Sequence, residues 1–292
     1  MSNALPGWLQ KLYPFEPKRF DTGRGVMSYV DEGAGDEAVV MVHGNPTWSF
    51  YYRNLVLGLR TKIRCIVPDH LGCGLSGKPA DFNYTLGEHV KNLRGLLDSL
   101  NLRKIHLIVH DWGGPIGLGA ALQHPEQLGR VVILNTASFA DTVVPLRIRL
   151  CRAPLIGEWL VRGFNGFAWP ATWMSVVRPL PADVKAGFLF PYDNWANRIA
   201  THRFVVDIPS GKGTASDRAL AEIEGKLELL RDRPVLILWG GRDFCFNRHY
   251  FDRWRALLPA ASTRYFDEAG HYVLEDEANA CLWKISAHLT TG

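Results

Sequence analysis

The chain has 292 residues, of which 47% are hydrophobic and 21% are charged. This composition excludes a disordered or collagen-like protein and predicts a globular chain with a sizeable core. The net charge is only +4 and no cluster of Lys and Arg alternates with aromatic residues, so a nucleic-acid partner is not expected. The longest apolar runs have the length of strands, so no membrane span is expected.

The N-terminus and the cysteines both indicate a cytoplasmic location. The start of the chain, from Met1 to Trp8, lacks the basic and apolar regions of a secretory signal. The cysteines are odd in number and none of them forms a C-x-x-C pair. We therefore expect reduced thiols, with no disulfide framework and no zinc site, at Cys65, Cys73, Cys151, Cys245 and Cys281.

Short apolar runs alternate with helical patterns from about residue 24 to the end. This alternation predicts an α/β fold with a mostly parallel sheet flanked by helices. The predicted strands are Val26–Val30, Ala38–Val42, Ile63–Val67, Ile105–Val109, Val131–Leu134, Val235–Trp239 and Thr263–Phe266. The clearest crossover helix begins after Thr85, which forms a capping-box pattern with Glu88, and its apolar face consists of Leu86, Val90, Leu93, Leu97 and Leu100.

The segment from about residue 140 to 213 has no strand pattern and is unusually aromatic. It contains four of the ten tryptophans, and its nine Lys and Arg residues outnumber its five acids, so the whole excess charge of the chain lies there. We predict an inserted helical lid at 140–213 on an α/β core formed by 1–139 and 214–292. The basic residues form either a solvated helix face or a surface that docks onto an acidic partner or an anionic membrane.

A strand, a tight turn and a helix-like stretch meet at Asp111. The predicted strand runs into the His-Asp-Trp-Gly-Gly sequence at 110–114, which is the context of a nucleophile elbow. Gly113 and Gly114 leave room on the helix side, whereas Val109 stands where a glycine is usual. A carboxylate is ionised at neutral pH and can attack an electrophilic carbon without a base, so Asp111 is the predicted nucleophile.

The ester that such an attack forms is broken by a histidine that activates water and an acid that holds its imidazole ring. Asp243 follows the predicted strand Val235–Trp239, at the carboxyl end where open α/β sheets place their sites. His271 lies in a glycine-preceded loop after the last strand. The order of nucleophile, acid and histidine is that of the α/β hydrolase triad, so we predict Asp243 as the acid and His271 as the base.

Two further residues are predicted to stabilise a developing anion. The His-Gly-Asn-Pro sequence at 43–46 follows a predicted strand and should face the elbow. Backbone amides near Asn45 and Trp112 can form an oxyanion hole, and the Asn45 side-chain amide and the Trp112 indole can converge on a leaving anion.

His-Gly-Asn-Pro, His-Asp-Trp-Gly-Gly, Gly-Arg-Asp and Ala-Gly-His together resemble the haloalkane dehalogenase family of the α/β hydrolases, over nearly the whole chain. The resemblance implies an α/β hydrolase fold. The roles that it implies are nucleophile, base and acid for Asp111, His271 and Asp243, and stabilisation of the leaving anion for Asn45 and Trp112. Some members of the family have their acid after the preceding strand, where this chain has Asn135, so Asp243 is the expected acid.

Within the family, Asn45, Trp112 and the late Asp243 are similar to the third subgroup, which includes β-lactone decarboxylases of bacterial long-chain olefin biosynthesis. The sequences at 7–15 and 29–33 are also similar to these enzymes. The implied substrate is a hydrophobic small molecule, a cis-3,4-dialkyl β-lactone, which loses CO2 to give a cis-olefin. The nucleophile would attack either the lactone carbonyl or the ring carbon. A complex with other olefin-biosynthesis enzymes is a further implication.

Three other functions use the same fold. A haloalkane dehalogenase would release halide with the same five residues, so these residues do not separate it from the decarboxylase. An epoxide hydrolase usually has an aromatic residue in place of Asn45 and uses lid tyrosines as acids, and Tyr192 is the obvious lid tyrosine. A non-catalytic receptor has little need for an intact triad. No cofactor and no metal are expected, because the chain has no phosphate-binding glycine motif and no clustered ligand spacing.

Four residues near these motifs are predicted to be structural. Asp69 is expected to stabilise its own turn. His110 and His43 are expected to pack and to brace the loops beside the nucleophile, and Cys245 is expected to be inert packing.

Overall fold

The computed structural model describes residues 5–140 and 144–290. An eight-stranded sheet forms its centre, with strands β1 (Lys18–Asp21), β2 (Val26–Glu32), β3 (Glu37–Val42), β4 (Arg64–Pro68), β5 (Lys104–His110), β6 (Leu128–Leu134), β7 (Val235–Gly240) and β8 (Ser262–Phe266). Their order is β1-β2-β4-β3-β5-β6-β7-β8. β2 runs antiparallel to β1 and β4, and all other neighbours are parallel. The predicted mostly parallel α/β architecture is confirmed.

Helices cover the sheet and fill the long connection between β6 and β7. The α-helices of the described residues are α1 (Gly7–Leu12), α2 (Arg53–Leu59), α3 (Leu86–Ser99), α4 (Gly113–Ala121), α5 (Leu146–Cys151), α6 (Ile156–Glu158), α7 (Ala168–Met174), α8 (Ala182–Leu189), α9 (Ile199–Asp207), α10 (Ala215–Glu224), α11 (Arg248–Leu257), α12 (Val273–Asp276) and α13 (Ala278–Thr290). None of them combines the length and apolar character needed to cross a bilayer.

Each of the seven predicted strands corresponds to an observed strand, but β1 was not predicted. It is a four-residue edge strand in which only Phe20 is partly buried. The charged residues around Phe20 hide the alternation that normally identifies a strand, and β1 owes its conformation to pairing with β2.

The central strands are buried on both faces. Val40 and Val42 of β3 pack into the apolar cluster on one side of the sheet, and Val39 and Met41 pack into the cluster on the other side. Successive side chains of a strand point to opposite faces, so the part of a strand that is covered on both sides is a nearly continuous apolar run. This double burial fixes the sheet, and with it the loops at its carboxyl edge.

The predicted helix after Thr85 is present as α3, but the predicted capping box is wrong. The Thr85 side chain makes no capping hydrogen bond. The first backbone N–H of the helix, at Leu86, instead donates to Oδ2 of Asp207 over 2.9 Å and to Oγ of Ser216 over 3.2 Å. A carboxylate is a stronger acceptor for a helix N-terminus than a hydroxyl, and this one is supplied by α9, more than a hundred residues away.

Among the described residues between β6 and β7 there are helices and no strand. We propose to treat 140–213 as a lid and the remainder as the core. The lid contacts the loop after β3, because the Trp48 indole donates to the Gly187 carbonyl over 3.1 Å and the Tyr192 hydroxyl donates to the Thr47 carbonyl over 3.3 Å. Residues 1–4 and 141–143 lie outside the described residues. Part of the N-terminal segment that was tested for a secretory signal falls there, as does the beginning of the predicted lid.

Candidate active site

Asp111 lies at the sharp turn between β5 and α4, with a backbone φ of 52°. A non-glycine residue rarely adopts this left-handed conformation, which is typical of a nucleophile elbow. The turn is held by its own backbone, because the Asp111 N–H donates to the Asn135 carbonyl over 3.1 Å and the Asp111 carbonyl accepts from Gly114 N–H and from the Thr136 hydroxyl.

Glycines surround the elbow because the chain passes too close for a side chain. A Cβ atom at Gly113 would lie 1.9 Å from the Val42 carbonyl oxygen, and one at Gly44 would lie 2.0 Å from Oδ1 of Asp111. The absence of a glycine at Val109 is compensated within α4, where a Cβ atom at Gly117 would lie 2.8 Å from a Val109 methyl group. Packing explains how the elbow accepts a valine at a position where a small residue is usual.

The Asp111 carboxylate is buried and receives two backbone donors. The Asn45 N–H donates to Oδ1 over 2.6 Å, and the Trp112 N–H also donates to this carboxylate. Burial raises the pKa of Asp111 above its ordinary value, although nearby His271 and the two backbone donors oppose this rise. The predicted pair of amides therefore exists, and it binds the Asp111 carboxylate.

His271 lies between the two carboxylates. Its Nδ1 donates to Oδ2 of Asp243 over 2.7 Å, and its Nε2 lies 3.7 Å from Oδ2 of Asp111. The bond at Nδ1 selects the neutral tautomer whose free Nε2 faces the Asp111 side, as a general base requires. Burial lowers the pKa of His271, but the charges of Asp243 and Asp111 outweigh burial, and the pKa is raised overall.

Asp243 is held by four donors. Oδ1 accepts from the N–H groups of Cys245 and Phe246 over 2.7 and 3.0 Å, and Oδ2 accepts from Nδ2 of Asn135 over 2.9 Å besides the His271 bond. From the sequence, Asn135 is only the position at which some relatives have their acid, and no role is predicted for it. Its place after β6, next to the carboxyl end of β7, was the available signal that it would contact Asp243.

The side chains of Asn45 and Trp112 line the same cavity as Asp111 and His271. Nδ2 of Asn45 donates to the Thr201 carbonyl over 3.1 Å, which fixes the orientation of the amide and leaves its second N–H for another acceptor. The Trp112 ring packs against Phe204 of α9, with ring centroids 5.2 Å apart. Both groups are therefore positioned by contacts with the lid.

This cavity has a volume of about 320 Å³ and lies between the core and the lid. Its wall is mainly apolar, and lid residues form much of it, among them Ile148, Leu160, Phe167, Met174 and Val205. A cavity with a few convergent polar groups in an apolar wall is typical of a site for a hydrophobic small molecule. The described residues contain no cluster of His, Cys, Asp and Glu side chains that could hold a metal.

The histidines that were predicted to be structural make such contacts. Nε2 of His43 accepts the His70 backbone N–H over 3.1 Å, and Nδ1 of His43 donates to the Gly44 carbonyl over 2.7 Å. His110 donates from Nε2 to the His271 carbonyl over 2.9 Å, and so links β5 to the loop of the candidate base. Burial, as the main cause, lowers the pKa of both His43 and His110.

Asp69, Cys245 and Tyr192 also have structural surroundings. Asp69 accepts the backbone N–H groups of Ser49 and Leu75 over 2.7 and 2.8 Å, and burial raises its pKa to about 6. The Cys245 thiol lines the cavity, but burial raises its pKa well above the ordinary value, which disfavours the reactive thiolate. Tyr192 is buried against the loop after β3 and is not part of the cavity wall, so the lid tyrosine of an epoxide hydrolase is not present there.

Comparison with known proteins agrees with this geometry. Residues 37–278 match the model of the α/β hydrolase fold family. The chain therefore belongs to the α/β hydrolase fold family, and it is an enzyme of that family. In solved structures it resembles a haloalkane dehalogenase from Agrobacterium tumefaciens, with a TM-score of 0.85 and 23% identity, covering 94% of this chain and 96% of the other.

Curated relatives add a resemblance to enzymes of particular activities. A cis-3-alkyl-4-alkyloxetan-2-one decarboxylase from Shewanella oneidensis is 45% identical over 97% of this chain and 91% of its own length, and one from Xanthomonas campestris is 46% identical over 95% and 97%. A haloalkane dehalogenase from Mycobacterium tuberculosis is 32% identical over 91% of this chain and 92% of its own length. The predicted resemblance to the dehalogenases and to the decarboxylase is confirmed.

Proposed function

We propose that this enzyme is a β-lactone decarboxylase that converts a cis-3,4-dialkyl oxetan-2-one into a cis-olefin and CO2. The observation that carries the proposal is the 45% identity over 97% of the chain to a relative named for this activity. The mainly apolar cavity beside Asp111 supports it, because two alkyl chains have no polar groups to pair.

Each polar group of the site receives a role in this proposal. Asp111 is the nucleophile, Asp243 orients His271 through the bond of 2.7 Å to Nδ1, and His271 favours the ionised form of Asp111 by its charge. Asn45 and Trp112 stabilise the negative charge that develops on the leaving oxygen. The backbone N–H groups of Asn45 and Trp112 donate to the Asp111 carboxylate in the free enzyme. Once Asp111 is esterified, they donate to the carbonyl oxygen of the ester.

Attack on the ring carbon that carries the ring oxygen is the route that we favour. It breaks that carbon–oxygen bond with inversion, which gives an alkyl ester of Asp111 and a free carboxylate. Loss of CO2 then supplies the electron pair of the new double bond and expels the Asp111 carboxylate on the opposite face. Inversion followed by anti elimination leaves both alkyl groups on one side, so the olefin is cis. No water is consumed and the enzyme is regenerated.

Attack on the lactone carbonyl is the other route. It produces a mixed anhydride and an alkoxide, and the second carbon–oxygen bond must then break with a poor leaving group. The ring-carbon route avoids this step, because its leaving group is a carboxylate that Asn45 and Trp112 can stabilise in the way a halide would be stabilised.

Haloalkane dehalogenation is the second candidate function, supported by the 32% identical relative. Asp111 would displace the halide, and His271 would activate water to hydrolyse the alkyl ester. The two functions differ in the fate of the ester, which is eliminated in one case and hydrolysed in the other.

Oxygen labelling separates these fates. The purified enzyme is given a cis-dialkyl β-lactone in 18O-labelled water for many turnovers. The products are separated by gas chromatography, and the mass of the peptide that contains Asp111 is measured by mass spectrometry. The proposal predicts a cis-olefin and an unlabelled Asp111. A β-hydroxy acid product or a labelled Asp111 would show hydrolysis instead, and Asp111→Ala, the control, is expected to form no olefin.

A cytoplasmic location is part of the same proposal. It is supported by the five cysteines, all of which are described and free. An acidic protein partner, such as another enzyme of olefin biosynthesis, is one candidate for contact with the basic lid, and the vesicle experiment below tests it against a lipid surface.

A further inference from the structure

The exposed large apolar side chains of this protein are concentrated in the lid. Of the seventeen such residues described, eleven lie between Leu146 and Val206. Three of the four most exposed of these lid residues lie within eleven residues: Leu146 is 69% exposed, Leu155 79% and Ile156 72%. Isolated exposed apolar residues are ordinary, but a dense group of them usually marks an interaction surface.

Basic residues accompany this apolar group. Arg147, Arg149 and Arg152 lie in or next to α5, and no described carboxylate is within salt-bridge distance of them. The one acid from Leu146 to Trp173, Glu158, is already paired with Arg162 over 2.6 Å. The surface is therefore both apolar and positively charged.

One of these apolar residues adopts an unfavourable backbone conformation. Leu155 has a φ of 62°, in the left-handed region that a bulky residue rarely occupies, while its side chain is 79% exposed. Folding gains little from a strained leucine that points into water. The exposure of the Leu155 side chain is explained if that side chain is buried against another molecule.

We propose that this surface binds an anionic phospholipid bilayer. We call it the docking face and define it by Leu146, Arg149, Leu150, Leu155, Ile156 and Trp159. Its aliphatic side chains would enter the acyl boundary, while Trp159 and Arg149 would occupy the headgroup region, where tryptophan and arginine are favoured. Positive charge that no ion pair among the described residues neutralises complements the negative surface of such a membrane.

A bilayer suits this face better than an acidic protein does. The core of a protein interface is usually depleted of charge, whereas here arginine and exposed leucine alternate along α5. The docking face is also continuous with the cavity, because Leu150 belongs to both and Pro145, next to Leu146 in the chain, also lines the cavity. An apolar ligand could pass from the bilayer to Asp111 without crossing water. The proposal does not depend on which reaction Asp111 performs.

Sedimentation of the full chain with vesicles tests the proposal. One set of vesicles is phosphatidylcholine alone, and the other is equal parts of phosphatidylcholine and phosphatidylglycerol. We expect binding to the anionic vesicles that weakens as salt is added. We expect Arg149→Glu to weaken this binding about tenfold or more, and Leu155→Ser combined with Ile156→Ser to do the same while leaving the salt dependence in place.

Matched controls lie outside the lid. Trp283→Ser removes a side chain that is 70% exposed on α13, and Lys91→Glu with Lys226→Glu reverses two exposed charges of the core. These controls are expected to bind anionic vesicles as the unmodified protein does, and circular dichroism checks that every variant is folded. Failure to sediment with either kind of vesicle would overturn the proposal in favour of a protein partner. Equal loss of binding in the control variants would overturn the assignment to this face.

Discussion

The buried carboxylate of Asp276 accepts the backbone N–H of Gly270 over 2.7 Å, one residue before His271. The same carboxylate accepts the N–H groups of Val177 and Arg178, at distances of 2.9 to 3.1 Å. One charged group at the end of α12 therefore joins the lid to the loop of the candidate base. Neither the lid pattern nor the triad motif indicates this connection.

We expect Asp276→Asn to misplace His271. The amide has one acceptor oxygen in place of two and directs N–H groups at backbone donors, so the free energy of unfolding should fall by about 1 to 3 kcal/mol. The turnover number should fall more than the Michaelis constant changes, because the cavity wall remains. Denaturant titration and steady-state kinetics measure the two effects. Glu277→Gln, which affects a half-buried carboxylate paired with the exposed Arg178, is the control, and equal behaviour of the two variants would refute the role of Asp276.

Asn135 is expected to position Asp243 rather than to contact substrate. Asn135→Ala removes the donor to Oδ2 of Asp243 and two hydrogen bonds with the Gly240 backbone. We predict a loss of activity of about tenfold and a loss of stability of about 1 to 3 kcal/mol. The exposed Asn83→Ala substitution should change neither. Full activity in Asn135→Ala would show that the remaining donors are sufficient to hold Asp243.

The pKa of His271 gives a test of the triad that does not depend on the substrate. Burial alone would lower this pKa, and the raised value depends on Asp243 and Asp111. NMR titration of the labelled histidines should therefore find His271 protonating above pH 6.5, and hydrolysis of an Asp111 ester, which needs neutral His271, should decline as the pH falls through the raised pKa. In Asp243→Asn the midpoint should move to lower pH. An unchanged midpoint would mean that Asp243 is not the partner of His271.

The start of α3 provides a test of the corrected cap. Asp207 accepts the first N–H of the helix, whereas Thr85 makes no side-chain cap. Asp207→Ala should lower the free energy of unfolding by about 1 to 2 kcal/mol, and Thr85→Ala should change it by less than about 0.5 kcal/mol. Thermal or denaturant unfolding measures both. A larger loss of unfolding free energy in Thr85→Ala than in Asp207→Ala would support the capping box instead.

The sequence predicted the seven longer strands because apolar runs between turns are local signals, and it predicted the places of Asp111, Asp243 and His271 because each follows a strand. Their convergence follows from the parallel sheet, whose carboxyl ends share one edge. The contacts of Asn135, Asp207 and Asp276 were not predictable in this way. Each joins segments that are distant along the chain, and a single polar residue has no periodicity.

Packing also explains the two departures from the local rules. Val109 can stand at a position of the elbow where a small residue is usual, because Gly117 of α4 has no side chain and leaves room for it. Phe20 is the only partly buried residue of β1, and its charged neighbours remove the apolar alternation by which a strand is predicted. Val109 depends on Gly117 of α4 and β1 depends on its pairing with β2, so only the folded structure brings the two parts together in each case.

The central claim is that Asp111 opens a β-lactone. The most direct measurement compares kcat/KM of the purified enzyme for a cis-dialkyl β-lactone, followed as olefin by gas chromatography, with kcat/KM for 1-bromoalkanes, followed as free bromide. We predict rapid formation of cis-olefin and slow release of bromide, and Asp111→Ala should abolish both. Rapid bromide release with an untouched lactone would rule out the β-lactone decarboxylase and identify a haloalkane dehalogenase.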